Sequence, residues 1–412
     1  PFVHCPEKNF SRTRKISMTD TLKCIINMSS HSLNQEILRF FHFHTNAPSA
    51  SAFIQQRAKI KLDAFYQTLY RFNQTFPCKK KHGYTFLACD ETDILLPLPQ
   101  NGDKTYASYR GGKNTRDFYQ IHMHALFDLV SQRYLDAILE PPRGVHEQTA
   151  LKQMLKRGTF ASDTVLITDR GYEGYDLFAL MSSMGLKFVC RAKDGNPGGI
   201  IKGFGLPKDG EYDRVFDRIY TMSNSKEVRS HPEIYHRIRN NPSARSVFLT
   251  KENREYRMYL RILRIKVGDG YECIVTNLKP EEFTLSEIKD IYWMRWGIET
   301  SFRELKYTIG LNNFHSKKVE FIKQEILARM ILYNFCQIII KTISLPQKDR
   351  KYIYEINTAV AACICRKFLF SDEFHMDAEA LIRRYISPVR PDRMCRRKVR
   401  YHSAVGFTYR AI

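Results

Sequence analysis

The sequence lacks an apolar run long enough to cross a membrane. The longest candidate, residues 326–345, is interrupted by Arg329, Asn334, Gln337 and Lys341. A membrane helix needs about 20 predominantly apolar residues, so the helical spacing of this run predicts a buried core helix. The first fifteen residues also lack the apolar stretch of a secretion signal. We therefore expect a cytoplasmic protein without a membrane partner. Because the chain begins with Pro1 rather than Met, we also expect a fragment or a processed product.

The ten cysteines include no Cys-x2-Cys pair. The closest two, Cys363 and Cys365, are separated by one residue, and most of the others stand singly among apolar residues. This spacing disfavours structural zinc and indicates reduced core thiols. Two His-x-His segments, 42–44 and 122–124, would each place both imidazoles on one face of a strand. Such pairs can bind metal, but we expect packed or solvated histidines.

Acidic residues are scarce relative to basic ones. The 412 residues include 65 Lys and Arg against 43 Asp and Glu, a formal net charge of +22. This excess predicts a polyanionic partner. DNA and RNA both fit, and an anionic membrane is the weakest candidate because no spanning segment accompanies the charge.

Four functional side chains share one narrow stripe of a predicted helix near residue 300. At about 100° per residue, Tyr292, Arg295, Glu299 and Lys306 fall within an arc of roughly 60°. An apolar stripe lies beside them and comprises Ile291, Met294, Ile298, Phe302, Leu305 and Ile309. A carboxylate among cations at the edge of a buried face suits a metal ligand flanked by phosphate-binding groups. The alternative is an ordinary boundary with an i, i+4 ion pair between Arg295 and Glu299.

The spacing Tyr-x2-Arg-x3-Glu-x6-Lys resembles the signature of bacterial insertion-sequence transposases of the DDE class, the IS4-type family. Residues 84–90 and 164–172 resemble two further segments of that family, each predicted as a strand leading to an acid, Asp90 and Asp169. The resemblance extends from about residue 10 to residue 393. It departs at Asp90-Glu91-Thr92, where the family usually has Asp-Gly-Ser or Asp-Gly-Thr. We expect Glu91 to add a bulky acid beside the metal site.

The resemblance implies a DNA transposase with the catalytic and metal-binding acids Asp90, Asp169 and Glu299. Two Mg²⁺ ions, replaceable by Mn²⁺, would be bridged by Asp90 and held one each by Asp169 and Glu299. Cleavage at the element ends would free a 3′-hydroxyl that attacks target DNA. Tyr292, Arg295 and Lys306 would bind phosphates of the cleaved end. A homodimer on double-stranded transposon ends and target DNA, at the bacterial nucleoid, completes the expectation.

Trp293 and Trp296 flank Arg295 in the same segment. We expect both to pack against the sheet, and stacking on a DNA base is the alternative.

The order strand, strand, strand, helix, strand, helix, strand predicts an α/β, RNase H-like catalytic domain over residues 79–345. Predicted strands at 84–90, 120–126, 133–139, 164–168 and 187–191 alternate with helices at 146–156 and 175–184. A large, mainly β insertion is predicted at about 192–282, with strands at 215–221, 245–249, 256–265 and 271–276.

Helical regions are predicted on both sides of this domain. Residues 1–78 are interpreted as a DNA-binding region, with helices from Thr19 or Asp20 and from Ser49 or Ser51 through Leu69. A solvated basic face is the alternative to DNA binding. Residues 346–412 are predicted as helices at 353–370 and 378–385 followed by a basic tail.

Two other functions remain open. One is an inactive, decayed or domesticated derivative that binds DNA. The other is an RNase H-like nuclease that does not join strands.

Overall fold

The structure is a computed structural model that describes residues 2–12, 15–97, 104–108, 118–142, 144–194, 199–207, 209–238, 248–249, 254–345, 352–369 and 377–389. The helices of these residues are α1 (Met18–Asn27), α2 (Leu33–Phe40), α3 (Ala50–Arg57), α4 (Asp63–Thr75), α5 (Glu147–Arg157), α6 (Tyr175–Ser183), α7 (Lys226–Ser230), α8 (Leu285–Trp293), α9 (Trp296–Tyr307), α10 (Val319–Thr342), α11 (Thr358–Leu369) and α12 (Ala378–Arg384).

The strands are β1 (Thr85–Leu96), β2 (Ala107–Ser108), β3 (Phe118–Asp128), β4 (Arg133–Glu140), β5 (Thr164–Thr168), β6 (Lys187–Ala192), β7 (Tyr212–Thr221), β8 (Tyr235–Arg237), β9 (Glu255–Val267), β10 (Gly270–Thr276), β11 (Tyr354–Ile356) and β12 (Ile386–Pro388). Short 3-10 helices occur at Arg170–Tyr172 and Ile200–Phe204.

Five strands form the predicted RNase H-like sheet in the spatial order β4, β3, β1, β5, β6. The first three are antiparallel neighbours, whereas β1, β5 and β6 run parallel to one another. Helix α5 connects β4 to β5 and α6 connects β5 to β6, the crossovers that parallel strands require. The predicted fold class is confirmed.

The β-rich segment after β6 continues this sheet rather than forming a separate one. Strand β10 pairs with β6, and β9, β7 and β8 follow outward. The predicted strands at 215–221, 256–265 and 271–276 correspond to β7, β9 and β10. The predicted strand at 245–249 is not found in its described part, because Phe248 and Leu249 form a bend and 245–247 lie outside the described residues.

The prediction that the first strand ends at Asp90 is wrong, because β1 continues to Leu96. Beyond Asp90, Ile94 and Leu96 are buried on alternate positions, and pairing with β3 is unbroken as far as Leu96 opposite Tyr119. The three polar residues after Asp90 obscured this alternation. Asp90 therefore lies in the middle of a long, well-anchored strand.

The amino-terminal helices differ in their bounds from the prediction. Ser17 caps α1 in a reciprocal capping box with Asp20, so the cap lies two or three residues before the predicted Thr19 or Asp20. Ser49 caps α3 as expected, but that helix ends at Arg57, and α4 forms a second helix after a short break. Helix α2 was not predicted.

Helix α10 confirms the core helix that was predicted at the longest apolar run. Its residues pack in one hydrophobic core with α1, α3, α4, α9 and one face of the sheet. Its buried polar groups are paired: Arg57 of α3 donates to Glu325 at 2.9 Å, and Arg329 donates to the carbonyls of Met28 and Ser29. No helix within the described ranges is long and apolar enough to cross a membrane.

The carboxyl-terminal region is not purely helical. Strands β11 and β12 pair antiparallel, and α11 and α12 lie between them in the sequence. The predicted helix at 353–370 is therefore wrong at its start, where residues 354–356 form β11 and α11 begins only at Thr358. The basic tail beyond residue 389 and the loop 109–113 lie outside the described residues.

Candidate active site

Asp90 and Asp169 lie side by side on neighbouring parallel strands. Ala88 of β1 is the register partner of Ile167 of β5, and each acid follows its partner residue by two positions. Since side chains return to the same face every second residue, both carboxylates belong to the face that carries α9 and α10. The charge of Asp169 raises the pKa of Asp90, as expected for close carboxylates.

The Asp169 carboxylate is oriented by the chain that follows it. Its Oδ1 accepts a hydrogen bond from the backbone N–H of Gly171 at 2.8 Å, which starts the 3-10 helix. A Cβ at position 171 would lie 1.6 Å from Oε2 of Glu147. Glycine at this position therefore leaves room for the Glu147 carboxylate, which a Cβ would displace.

Glu299 reaches the site from a helix that begins beside it. The predicted continuous helix is wrong, because α8 ends at Trp293 and α9 begins at Trp296. At the junction the backbone N–H groups of Arg295, Gly297 and Ile298 each bond three residues back, a tighter 3-10 pattern. The Cβ that Gly297 lacks would approach Leu129 to 3.0 Å, so the junction lies tightly against the sheet. Local helix signals did not predict this break, because the junction contains neither a proline nor a capping side chain.

Arg295 connects the two acids that come from different elements. Its Nη1 lies 3.3 Å from Asp90 Oδ2, and its Nη2 lies 2.9 Å from Glu299 Oε1. The Arg295 side chain is only 7% exposed. The ordinary i, i+4 pair is thus present, but the same guanidinium also contacts the strand acid 205 residues earlier in the chain.

Burial raises the pKa of Asp90 to about 6, with the charges of Asp169 and Glu299 adding to the effect and Arg295 and the Glu91 N–H opposing it. Burial also raises the pKa of Glu147 to about 7, and the charges of Glu91, Asp169 and Asp90 contribute. Both shifts arise first from burial and then from neighbouring acids, and two carboxyl groups perturbed in this way mark a candidate functional site. Glu147 was missed at the sequence level, where it appeared only as an ordinary first-turn acid of a helix.

Lys306 and Tyr292 lie on either side of this centre. Lys306 Nζ donates to Thr92 Oγ1 at 2.5 Å, on the same face of β1 as Asp90. Burial lowers the pKa of Lys306, while Asp93 opposes the change. Tyr292 is 4% exposed, and its hydroxyl meets no partner with hydrogen-bond geometry among the described residues.

The Glu91 side chain was expected beside the metal site, but it does not lie on the same face of the sheet as the Asp90 carboxylate. It is on the opposite face of the sheet, where its Oε2 lies 2.6 Å from Nε2 of His122. The reason is the strand itself, since consecutive residues of β1 point to opposite faces. Hydrogen bonds to Asp93 and Glu91 raise the pKa of His122 to about 10.

The two tryptophans do not pack against the sheet as expected. Trp293 is 48% and Trp296 51% exposed. They stand at the helix junction, whose apolar positions are already filled by residues such as Ile291 and Ile298. The Arg295 guanidinium lies 5.2 Å from the Trp296 ring centre, which leaves an aromatic surface at the edge of the acidic centre.

An RNase H-like sheet with acids on its central strands defines a class of metal-dependent enzymes that act on phosphodiesters. Within that class the chain belongs to the family of the transposase DDE domain, whose model matches residues 81–335. The protein is accordingly a DDE transposase, and this family depends on divalent metal.

Several known transposases are similar to this chain. The chain is 22% identical over 337 residues to the transposase InsG of insertion sequence element IS4 from Escherichia coli K12, covering 78% of this chain and 70% of that protein. It is 31% identical over 62 residues to the transposase of insertion sequence element IS421 from Escherichia coli, covering 15% and 17%. Among solved structures, a piggyBac transposase synaptic complex with hairpin DNA aligns with 90% of this chain and 78% of that chain, at 10% identity and a TM-score of 0.42.

Proposed function

We propose that this transposase cuts the ends of a DNA element and joins the freed 3′-hydroxyl to target DNA, with Asp90, Asp169 and Glu299 as its catalytic acids. The observation that carries the proposal is the convergence of these acids. Two are adjacent on parallel strands, and Arg295 connects the third to Asp90.

The donor set of this centre fits divalent ions. Three carboxylates and one guanidinium leave two negative charges, and burial makes that excess costly. The oxygen-only donors favour Mg²⁺, with Mn²⁺ as a substitute. Asp90, Asp169 and Glu299 would hold these ions through their carboxylate oxygens. The bound ions would neutralise charge on the reacting phosphate and activate the attacking oxygen.

The cations around the centre are proposed to position DNA. Arg295 contacts Asp90 through Nη1 and Glu299 through Nη2, which leaves three of its five N–H donors. One of these is the buried Nε, which meets no partner in hydrogen-bond geometry among the described residues. The buried Tyr292 hydroxyl also meets no partner in hydrogen-bond geometry among the described residues. Burial raises its pKa, and the neighbouring Arg295 guanidinium opposes that change. Together with Lys306, these groups would bind phosphates of the cleaved end. The exposed rings of Trp293 and Trp296 would stack on bases there.

Double-stranded DNA is the proposed partner because the +22 charge favours a polyanion. We further propose a homodimer that holds two element ends, with residues 1–78 and the basic tail contributing to end binding. The reaction would take place at the bacterial nucleoid, in the cytoplasm.

Three substitutions test the catalytic assignment. Asp90→Asn, Asp169→Asn and Glu299→Gln should each abolish metal-dependent cleavage of DNA that contains the element ends, since each removes an ion ligand while conserving side-chain volume. Asp290→Asn is the matched control, because this exposed acid of the preceding helix carries the same charge outside the centre. Cleavage that survives in any of the three variants contradicts the assignment of that acid.

A second assay separates transposition from the alternatives. Precut ends with a free 3′-hydroxyl should yield insertion products in the unaltered protein. A nuclease would cut but not join these ends, and an inactive DNA-binding derivative would do neither.

A further inference from the structure

A second cluster of metal-binding side chains lies on the reverse face of β1. Glu91 and Asp93 of this strand are the register partners of His124 and His122 on β3. Directly paired residues of antiparallel strands project on the same side. The four groups therefore lie together on the face opposite Asp90 and Thr92.

Three donor atoms converge within this cluster. Glu91 Oε2 lies 2.6 Å from His122 Nε2 and 3.7 Å from His124 Nδ1. One donor from each residue falls within 4.8 Å of the other two. Metal–ligand bonds of about 2.0–2.1 Å in a tetrahedral site imply donor separations of about 3.3 Å. The observed separations bracket that value, so small side-chain rotations suffice to enclose an ion.

His124 supplies the strongest indication of a missing partner. Its side chain is completely buried, yet neither ring nitrogen completes a hydrogen bond within the part of the chain that the structure describes. The Val145 backbone interacts with the ring without reaching hydrogen-bond geometry. Buried polar groups without partners are uncommon and costly, and a bound ion would satisfy one nitrogen.

Asp93 has the role of an outer partner in the cluster. Its Oδ1 lies 2.8 Å from His122 Nδ1. Because hydrogen bonds to Asp93 and Glu91 raise the pKa of His122 to about 10, a metal ion would displace the proton on Nε2, which faces Glu91. The proton on Nδ1 would stay donated to Asp93. Metal-binding histidines are commonly oriented by such a carboxylate.

We propose that Glu91, His122 and His124 bind one transition-metal ion, preferentially Zn²⁺, through Oε2, Nε2 and Nδ1. Two imidazoles with a carboxylate suit Zn²⁺ or Co²⁺, whereas Mg²⁺ prefers oxygen donors. The ion is therefore chemically distinct from the Mg²⁺ proposed for Asp90, Asp169 and Glu299. It would join β1 to β3 one residue from Asp90 and hold Glu91 away from the acidic centre. The inference does not depend on the proposed catalytic roles.

Cobalt titration of the untagged full chain tests the site, because Co²⁺ replaces Zn²⁺ and absorbs visible light when bound by imidazole. One equivalent should bind with a visible band and without the near-ultraviolet band of cysteine ligation, and Zn²⁺ should displace it. Glu91→Gln and His122→Ala should each weaken Co²⁺ binding at least tenfold. Asp93→Asn should weaken it by about 10- to 100-fold, as expected for an outer partner.

Asp90→Asn is the control, because it removes a ligand of the other centre and should leave Co²⁺ affinity unchanged. Circular dichroism verifies that each variant is folded. If the first two variants do not fold, Asp93→Asn decides, since its side chain is 50% exposed. Equal Co²⁺ affinity in the unaltered protein and the folded ligand variants would overturn the proposal, as would failure of the unaltered chain to bind cobalt.

Discussion

At the residue scale, the most informative side chain of the candidate site is Arg295. A buried guanidinium shared by two carboxylates holds them close together before any ion is present. The raised pKa of Asp90 shows that this one cation does not fully offset burial and the neighbouring acids. The centre thus combines a fixed separation between donors with an unsatisfied demand for positive charge, as a divalent-ion site requires.

The pH dependence of Mg²⁺ binding follows from Asp90. Its pKa in the folded chain is about 6, raised from an ordinary value of 3.8. Because the folded ion-free protein binds this proton more tightly than the unfolded chain does, Asp90 contributes to the free energy of unfolding at pH values below 3.8. This stabilising contribution is lost as the pH rises through about 6. Mg²⁺ requires the ionised form, so its affinity should increase from pH 5 to pH 7, where the Glu147 carboxyl also ionises. Isothermal titration calorimetry in two buffers measures affinity and proton release. Constant affinity across this range would contradict the account.

The hydroxyl of Tyr292 offers a test that separates stability from function. Because this buried group has no hydrogen-bond partner among the described residues, Tyr292→Phe should change the free energy of unfolding by no more than about 1 kcal/mol. If the hydroxyl binds a DNA phosphate, affinity for cleaved ends should decrease by roughly tenfold. Urea unfolding and fluorescence anisotropy measure the two quantities. Undiminished end binding would remove Tyr292 from the proposed phosphate contacts.

At the element scale, the helix break between α8 and α9 shows where local sequence patterns stop being sufficient. Alternating apolar residues predicted the central strands, and the apolar stripe at Ile298, Phe302 and Leu305 predicted a docked helix. The break was not predictable from local pattern, and it lies where Gly297 packs closely against Leu129, a residue distant in the sequence. The exposure of Trp293 and Trp296 follows from the same junction.

Docking of the amino-terminal helices on α10 depends on buried charge. Arg57 donates to Glu325 and to the Phe321 carbonyl, and His315 lies 3.0 Å from the same carboxylate. Burial alone would raise the pKa of Glu325, but His315 and Arg57 lower it well below its ordinary value. The sequence could not reveal this network, because its members are separated by as many as 268 residues.

Removing Arg57 should therefore be costly. Arg57→Ala leaves Glu325 with one fewer buried partner, and we expect a loss of about 3–5 kcal/mol in the free energy of unfolding. Arg71→Ala on α4 is the control, since this exposed arginine should change stability by no more than about 0.5 kcal/mol. Chemical denaturation followed by circular dichroism measures both. Equal stabilities for the two variants would contradict the proposed importance of the network.

At the scale of the whole molecule, one sheet contains both the strands of the RNase H-like core and the β-rich segment. Helix α10 packs in the same hydrophobic core as one face of that sheet and the amino-terminal helices. The order of the central elements was predictable because each strand and helix has a local apolar pattern. How the β-rich segment joins the sheet was not, since pairing of β10 with β6 is a contact between distant segments. Likewise, the pairing of Glu91 with His122 required the register of β1 against β3.

The net charge of +22 predicts strongly salt-dependent DNA binding. For DNA of unrelated sequence, the logarithm of the binding constant should fall linearly with the logarithm of the salt concentration. The slope should be roughly one unit for each phosphate that the protein contacts. Lys306→Met should reduce the slope for cleaved ends by about one while leaving that for unrelated DNA unchanged. Electrophoretic or anisotropy titrations at several salt concentrations provide the slopes. A slope for cleaved ends that does not change would show that Lys306 does not contact a phosphate.

The central claim is that Asp90, Asp169 and Glu299 form one divalent-ion centre. A crystal structure of the protein with Mn²⁺, recorded near the manganese absorption edge, tests it most directly. The account predicts anomalous peaks within about 2.3 Å of carboxylate oxygens from all three acids, with Asp90 shared between two ions. Manganese bound elsewhere, with these three carboxylates free of metal at saturating concentration, would contradict it.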